Sequence, residues 1–375
     1  MTQIPTLDSL LDNIELELLD ATPESLAKGF SLDTDLVLDD TQAVSKLIPI
    51  IQLDEGQIDP RLKLLSHSSR TLLNTCARKY QLYRLSSEEQ KMEDSLETLQ
   101  QVTFAYGKAV GVGVQSALED KTEDQIYIDT FLEWDTDLLD ANPKQNKSFW
   151  LAMFAVQKFI DIKAKGFLED YELVYYLPQD AAPDDPLIPA VELAFQIALP
   201  DGFKYRGFID AVLKHKTTGE ILVLECKTSS GNTNPAMFKN SGQALGYSVV
   251  LDILFPEVSS YTVLYLVYET KNYIYKELPF TKSLLQRALW LQELLLDTEV
   301  IKLYNSYHTY PMQGSSCFSF FRDCEYLGLC TISTDKLTKP LTQPILDRIE
   351  KDEDKYHFRI DFYDLVEAQI VKGEM

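Results

Sequence analysis

Between residues 171 and 278 the apolar positions recur with a period of two, and on either side they recur at helical spacing. The two-residue period predicts strands near 171–177, 190–199, 203–214, 220–228, 261–269 and 272–278. Upstream, the serines of Leu64-Leu-Ser-His-Ser-Ser-Arg70 can cap a helix, and Leu72, Cys76, Tyr80 and Tyr83 follow at its spacing. Segments 86–120 and 147–164 read as further helices, 235–251 as a helix between strands, and 281–304 as one after them. This order predicts an α/β fold, a mixed central sheet flanked by helices, spanning residues 61–335. Residues 1–60 form an appended arm with a short amphipathic pattern (Leu7, Leu10, Leu11, Ile14, Leu18, Leu19). Residues 336–375, with Pro340 and Pro344, read as a loosely packed C-terminal tail.

Charge changes this picture more than composition does. The chain of 375 residues carries a net charge of −23, so its summed field repels phosphate and argues against sequence-independent coating of nucleic acid. An enzyme whose carboxylates are masked by bound cations remains compatible with it. Residues 1–56 hold twelve Asp and Glu against two Lys, so the acidity is concentrated in the arm. No apolar run approaches the roughly 18 residues of a membrane span, and the N-terminus lacks a basic-then-apolar signal pattern, which predicts a cytoplasmic protein. In that compartment the odd, clustered set Cys76, Cys226, Cys317, Cys324 and Cys330 points to metal binding more than to disulfides.

The candidate chemistry lies in two strands. Alternation places Phe208, Asp210 and Val212 on one face of the first, and Val223, Glu225 and Lys227 on one face of the next. If the strands pair through the His215–Glu220 connection, Asp210 lies beside Glu225, and Glu192 on the preceding strand supplies a third carboxylate. Such a group is costly to bury unless a cation binds it, and oxygen ligands suit Mg²⁺ or Mn²⁺. A lysine among them can orient water or steady a phosphate. On the 235–251 helix, Lys239, Gln243 and Tyr247 stand four residues apart and share a face.

Gly-Phe-Ile-Asp210, Leu-Glu225-Cys-Lys227-Thr and Gln243-Ala-Leu-Gly-Tyr247 together resemble the PD-(D/E)XK nuclease superfamily, and within it the RecB-like branch. The segment Leu65 to Tyr80 resembles that branch's first motif. The resemblance implies a restriction-endonuclease-like sheet with Asp210, Glu225 and Lys227 as the catalytic triad. It implies Glu192 and the backbone carbonyl of Cys226 as further metal ligands, and Gln243 and Tyr247 as residues assisting at the substrate. RecB-like enzymes place a metal-binding His in a Gly-x-x-x-His context. The comparable stretch here, Gly107-Lys-Ala-Val-Gly111, lacks it, which implies that one metal is held more weakly or through water.

Some RecB-like nucleases (AddB-type subunits and CRISPR-adaptation nucleases) hold a [4Fe–4S] cluster with one cysteine on the first helix and three at the end of the domain. Cys76 with Cys317, Cys324 and Cys330 resembles that arrangement. The last gap fits, the middle gap of six residues is longer than usual, and Phe321 stands at the expected position. Zinc is the rival occupant, and simple packing is the alternative for Cys76 and Cys317.

Tyr80, Tyr83 and Tyr247, near Arg78, Lys79 and Arg84, are candidates for stacking on a single strand. With no Walker loop, unwinding would need a helicase partner, and the acidic arm could dock a basic protein. The expected function is a metal-dependent DNA nuclease, exonuclease or flap-type, in phage or bacterial repair, recombination or processing, acting on single-stranded or end-containing DNA and leaving a 5′-phosphate. The alternative is a non-catalytic nucleic-acid-binding or scaffold protein that keeps the nuclease fold.

Overall fold

The computed structural model describes residues 50–86, 95–134, 147–231, 233–319, 322–330, 332 and 338–374. The arm's amphipathic pattern lies outside the described residues. The helices are α1 (His67–Thr75), α2 (Ala77–Leu85), α3 (Ser95–Leu118), α4 (Glu123–Glu133), α5 (Phe149–Ala164), α6 (Ala236–Lys239), α7 (Gly242–Leu254), α8 (Leu284–Ser306), α9 (Gln343–Lys351) and α10 (Phe362–Glu374). The strands are β1 (Leu64–Leu65), β2 (Tyr171–Leu173), β3 (Tyr175–Tyr176), β4 (Ile188–Pro189), β5 (Val191–Ala198), β6 (Lys204–His215), β7 (Ile221–Ser229), β8 (Tyr261–Glu269), β9 (Ile274–Lys282), β10 (Phe318–Ser319), β11 (Arg322–Asp323) and β12 (Phe358–Asp361).

The central sheet has the order β12-β5-β6-β7-β8-β9, with the short β1 and β2 also paired to β6. β7 and β8 run parallel, as do β12 and β5, while β5, β6 and β7 are successively antiparallel. Apolar side chains cover both faces. Val223, Tyr265 and Val267 pack with α7 and α8 on one side, and Leu224, Leu264 and Leu266 pack with α3 and α5 on the other. The α/β reading therefore holds as a helix–sheet–helix sandwich.

Local chemistry explains several boundaries. Ser66 and Ser69 form a reciprocal capping box at the start of α1, and Ser283 and Gln286 do the same for α8. Cys76 is extended (φ −161°, ψ 107°) and separates α1 from α2, where the sequence predicts one continuous helix. The helix predicted over 235–251 is likewise two, parted at Asn240 and Ser241. The α4 helix, capped by Thr122, was not foreseen, because its apolar residues are distributed around it rather than along one stripe.

The C-terminal segment differs most from expectation. It is not a loose tail: β12 is the sheet's edge strand beside β5, and α10 packs on α7 and α8. A buried ionic network holds it there. Asp252 on α7 and Arg287 on α8, both 0% exposed, pair at 2.8 Å. Lys372 and Gln369 of α10 reach the same carboxylate, Lys372 at 3.1 Å and Gln369 through a short hydrogen bond. Arg287 also donates to the carbonyls of Lys282 (2.7 Å) and Ser259 (3.0 Å), so its guanidinium is well satisfied. At Gly246 a Cβ would sit 2.9 Å from Trp290 Cζ2, so only glycine lets α7 lie this close to α8.

Removing one partner of such a network strands the others in the interior. Asp252→Ala is expected to cost about 3–5 kcal/mol in urea unfolding, whereas replacing Asp252, Arg287 and Lys372 together by apolar residues should cost less.

Candidate active site

β6 and β7 pair only from Ala211↔Leu224 to Lys214↔Ile221, and beyond Leu224 the two strands part. β6 continues along β5 and β7 along β8. At the parting, the Cys226 N–H that would next serve the ladder is taken by the Asp210 carboxylate at 2.7 Å. A side chain thus closes the fork that backbone pairing abandons.

The neighbouring strand bends at the same level. The flanking pairs Val191↔Ala211 and Leu193↔Ile209 place Glu192 across from Asp210, and Glu192 itself has φ +47°. Left-handed backbone at a non-glycine strand residue is strained, and such strain persists where surroundings enforce it. Ile209 and Leu193 pack into the core beside α7 and α8, and Ala211 and Val191 into the core beside α3 and α5. Regular alternation would keep Ile209 with Ala211, and Val191 with Leu193, on one face. The expectation that Phe208, Asp210 and Val212 share a face is therefore corrected: both strands change phase at Glu192 and Asp210.

Glu225, 1% exposed, points into this fork with Lys227 Nζ 2.5 Å from its Oε1. Lys227 also donates to Gln243 Oε1 at 3.1 Å, and Gln243 Nε2 contacts the Tyr247 hydroxyl at 2.5 Å. Glu225, Lys227, Gln243 and Tyr247 thus form one chain of contacts. Lys239, predicted to share the face of Gln243 and Tyr247, is excluded from it by the break before α7 and stands exposed on α6.

The electrostatics follow from burial. Desolvation, and then the nearby Glu225, push the Asp210 carboxyl well above its ordinary range. Glu192 is raised mainly by burial, against the pull of the Gln115 amide that donates to its Oε1 at 2.6 Å. Burial alone would lower Lys227, but Glu225 beside it carries its ammonium above the usual value. His67 on α1 is lowered to about 4 by burial and then by the charges of Lys227 and Arg70, which places a neutral imidazole next to the lysine.

Neither His67 nor Gln115 was singled out in the sequence. Gly107, assigned above to the Gly-x-x-x-His position, lies against Thr228, where an added Cβ would be 3.7 Å from its Oγ1. The residue of α3 that meets the carboxylates is Gln115, in Gly111-Val-Gly-Val-Gln115, so an amide takes the place where the resemblance implies a histidine. The signal was present, one helical turn further along.

Two of the three proposed stacking residues, Tyr80 and Tyr247, are not available to bases. Tyr80 is buried with its hydroxyl donating to the Leu62 carbonyl at 2.7 Å, and Tyr247 is buried as described; only Tyr83 is exposed. Arg78 is buried and donates to the Ile332 carbonyl at 2.9 Å, Lys79 pairs with Glu325 at 3.4 Å, and Arg84 donates to the Arg61 carbonyl at 2.7 Å. These cations stabilise the fold and do not line a phosphate track.

The break at Cys76 meets the C-terminal cysteines. Ser316 Oγ donates to the Thr75 carbonyl (2.8 Å), Arg78 N to Pro311 O (3.0 Å) and Cys324 N to Cys317 O (2.8 Å). The Cys330 thiol is raised by burial and then by the proximity of Cys324, Cys76 and Cys317, so all four thiols share a neighbourhood. Cys226 does not join them; it packs beside α3 and α5, and burial raises its thiol far above the ordinary range. Among the described residues, no three His, Cys, Asp or Glu side chains are drawn into a ready ligand sphere, at the fork or at the cysteines. At the fork, the Lys227 ammonium stands against Glu225. At the cysteines, the thiols are gathered without being closed on one point.

Glu269, at the end of β8 opposite Ser229, fixes the loop that leaves the fork. Its buried carboxylate accepts from Thr233 N (3.0 Å), Asn272 Nδ2 (2.7 Å) and Lys276 Nζ (2.7 Å). The Lys276 hydrogen bond foremost lowers its pKa from 4.5 to about 2. A depressed carboxyl stabilises the fold above its unfolded value and loses that contribution as pH falls toward 2. Glu269→Gln should therefore melt below wild type at neutral pH, with the gap closing as pH falls from 4.5 toward 2 in a thermal melt series.

No curated protein matches this chain. No described helix is long and apolar enough to cross a membrane. The family model of the PD-(D/E)XK nuclease superfamily matches residues 64–331. That span opens at the capped first helix, takes in both strands of the fork and the helix behind Lys227, and closes just after Cys330; the chain belongs to the PD-(D/E)XK nuclease superfamily.

Proposed function

We propose that this chain is a metal-dependent nuclease that hydrolyses phosphodiester bonds of DNA at single-stranded regions or ends, as an exonuclease or flap-type enzyme of DNA repair, recombination or processing. The observation that carries this reading is the fork itself, where Glu225 Oε2 is buried with no hydrogen-bond partner beside two carboxyls whose pKa values are raised. An orphaned carboxylate oxygen among acids that one lysine only partly offsets fits a hard divalent cation. Asp210, Glu225, Glu192 and the Cys226 carbonyl are the groups to hold it. Bound Mg²⁺ or Mn²⁺ supplies Lewis-acid polarisation of a phosphoryl oxygen and a more acidic water.

The remaining roles belong to the protein's own side chains. Lys227, held protonated by Glu225, is a fixed ammonium that orients the attacking water and offsets charge developing on the phosphate. Gln243 holds the lysine by its carbonyl oxygen, and Tyr247 holds Gln243 in turn. Gln115 aligns Glu192 without adding charge. The neutral His67 accommodates the ammonium without repelling it as an imidazolium would.

End-labelled single- and double-stranded DNA and RNA, incubated with Mg²⁺, Mn²⁺ or EDTA, test the reading. Cleavage of DNA that EDTA abolishes is expected. Glu225→Gln and Lys227→Ala should each lower the rate by about 10²–10³ while leaving the circular dichroism spectrum unchanged. DNA binding without metal-dependent cleavage would favour the scaffold alternative. In metal-free protein, Asp210→Asn should raise the melting temperature, because it removes one of the mutually repelling carboxylates and keeps an oxygen for the Cys226 N–H.

The four gathered thiols are a donor set suited to a [4Fe–4S] cluster or to zinc. We propose that Cys76, Cys317, Cys324 and Cys330 hold such a group and fasten α1 to the end of the matched span. Protein purified without oxygen should contain stoichiometric iron with sulfide, or else zinc. Cys76→Ser should lose the metal and melt earlier. Metal-free wild-type protein, with Cys76→Ser equally stable, would reduce these cysteines to packing residues.

A further inference from the structure

The α8 helix buries one face and leaves the other apolar. Arg287, Trp290, Leu291, Leu294, Asp297, Thr298 and Ile301 point inward. On the opposite face Leu285, Leu289, Leu296 and Leu303, followed by Tyr307 at the C-cap, are each between 48% and 73% exposed. At 100° per residue these five lie within about 40° of one another, along roughly 33 Å of helix. The Leu289, Leu296 and Leu303 spacing of seven is that of a helix-pairing seam rather than of scattered surface leucines.

The stripe is also symmetric about its middle. Leu289 and Leu303 lie seven residues either side of Leu296, and Leu285 and Tyr307 lie eleven either side. A second α8, antiparallel and related by a two-fold axis through Leu296, would therefore place Leu289 on the partner's Leu303 and Leu285 on the partner's Tyr307. Self-complementarity under a two-fold is the signature of an isologous contact. Taken from their fractional exposures, these five side chains offer on the order of 500 Å² per copy, so two such surfaces together reach the roughly 1,000 Å² that a specific interface clears.

We infer that this face is a homodimer interface, in which two copies of the chain pair their α8 helices antiparallel across Leu296. The contact is apolar between chains of net charge −23, so added salt, which screens their repulsion, strengthens it. α8 also backs α7 through Trp290 against Gly246, so pairing would brace the helix that carries Gln243 and Tyr247.

Sedimentation velocity of the full chain, from about 1 to 100 μM at low and high salt, reads this directly. Wild-type protein is expected to be dimeric at the upper concentrations, and more so at high salt. Leu289→Glu and Leu303→Lys should each weaken association at least tenfold with unchanged circular dichroism and melting temperature. Their combination should restore the dimer, because the antiparallel register sets Glu at 289 against Lys at 303 of the other copy. A wild type that stays monomeric throughout would overturn the proposal and leave the stripe to a partner of another sequence. Single variants that remain dimeric would overturn it too, and failure of the double variant to recover would overturn the antiparallel register.

Discussion

The structure turns on the point where β6 and β7 stop pairing. Two strands that part inside a protein expose backbone donors that must be satisfied, and here Asp210 satisfies one by accepting from Cys226 N. That hydrogen bond places a carboxylate inside the fork, against Glu225 and across from Glu192. Burial then makes the three acids costly, since each loses water without gaining a full counter-charge. One lysine offsets part of this, and one carboxylate oxygen has no partner at all. The sheet thus gathers unfavourable charge at one place, the candidate site.

Such a centre demands a rigid surround, and the surround is polar where it must not slip. Asp252 joins three helices through one carboxylate, and Glu269 joins the loop after β7 to the β8–β9 turn in the same manner. The two are paired differently. Asp252 is closed in with cations and an amide in the interior, whereas Glu269 combines a backbone amide with a lysine that keeps partial access to solvent. Each ties together segments far apart in the chain. Both stand behind elements that carry the candidate site: α7 with Gln243 and Tyr247, and the loop leaving Lys227.

The first helix and the end of the matched span meet in a third junction. The Ser316 hydroxyl donating to the Thr75 carbonyl and the Arg78 N–H donating to the Pro311 carbonyl hold that meeting, and the Cys330 thiol there feels Cys324, Cys76 and Cys317. The buried Arg78 guanidinium lies beside Cys330 and Cys76 in this region.

Much of this was legible along the chain. The two-residue period located β5 to β9, because both faces of a covered sheet select apolar side chains whatever their partners. Serine caps marked the start of α1, and Asp210, Glu225, Lys227, Gln243 and Tyr247 were visible as polar residues where packing alone would place apolar ones. What alternation could not show was the phase change at Glu192 and Asp210, because strain in one strand is stabilised by its neighbour and leaves no mark on composition. The breaks at Cys76 and Ser241 were hidden for a similar reason: neither is a glycine or proline, and contacts with distant segments set their conformation. The C-terminal strand and helix read as a tail because their anchors, Gln369 and Lys372, are polar. Only the folded chain brings them to a buried carboxylate more than a hundred residues earlier, where charge becomes a reason for burial rather than against it.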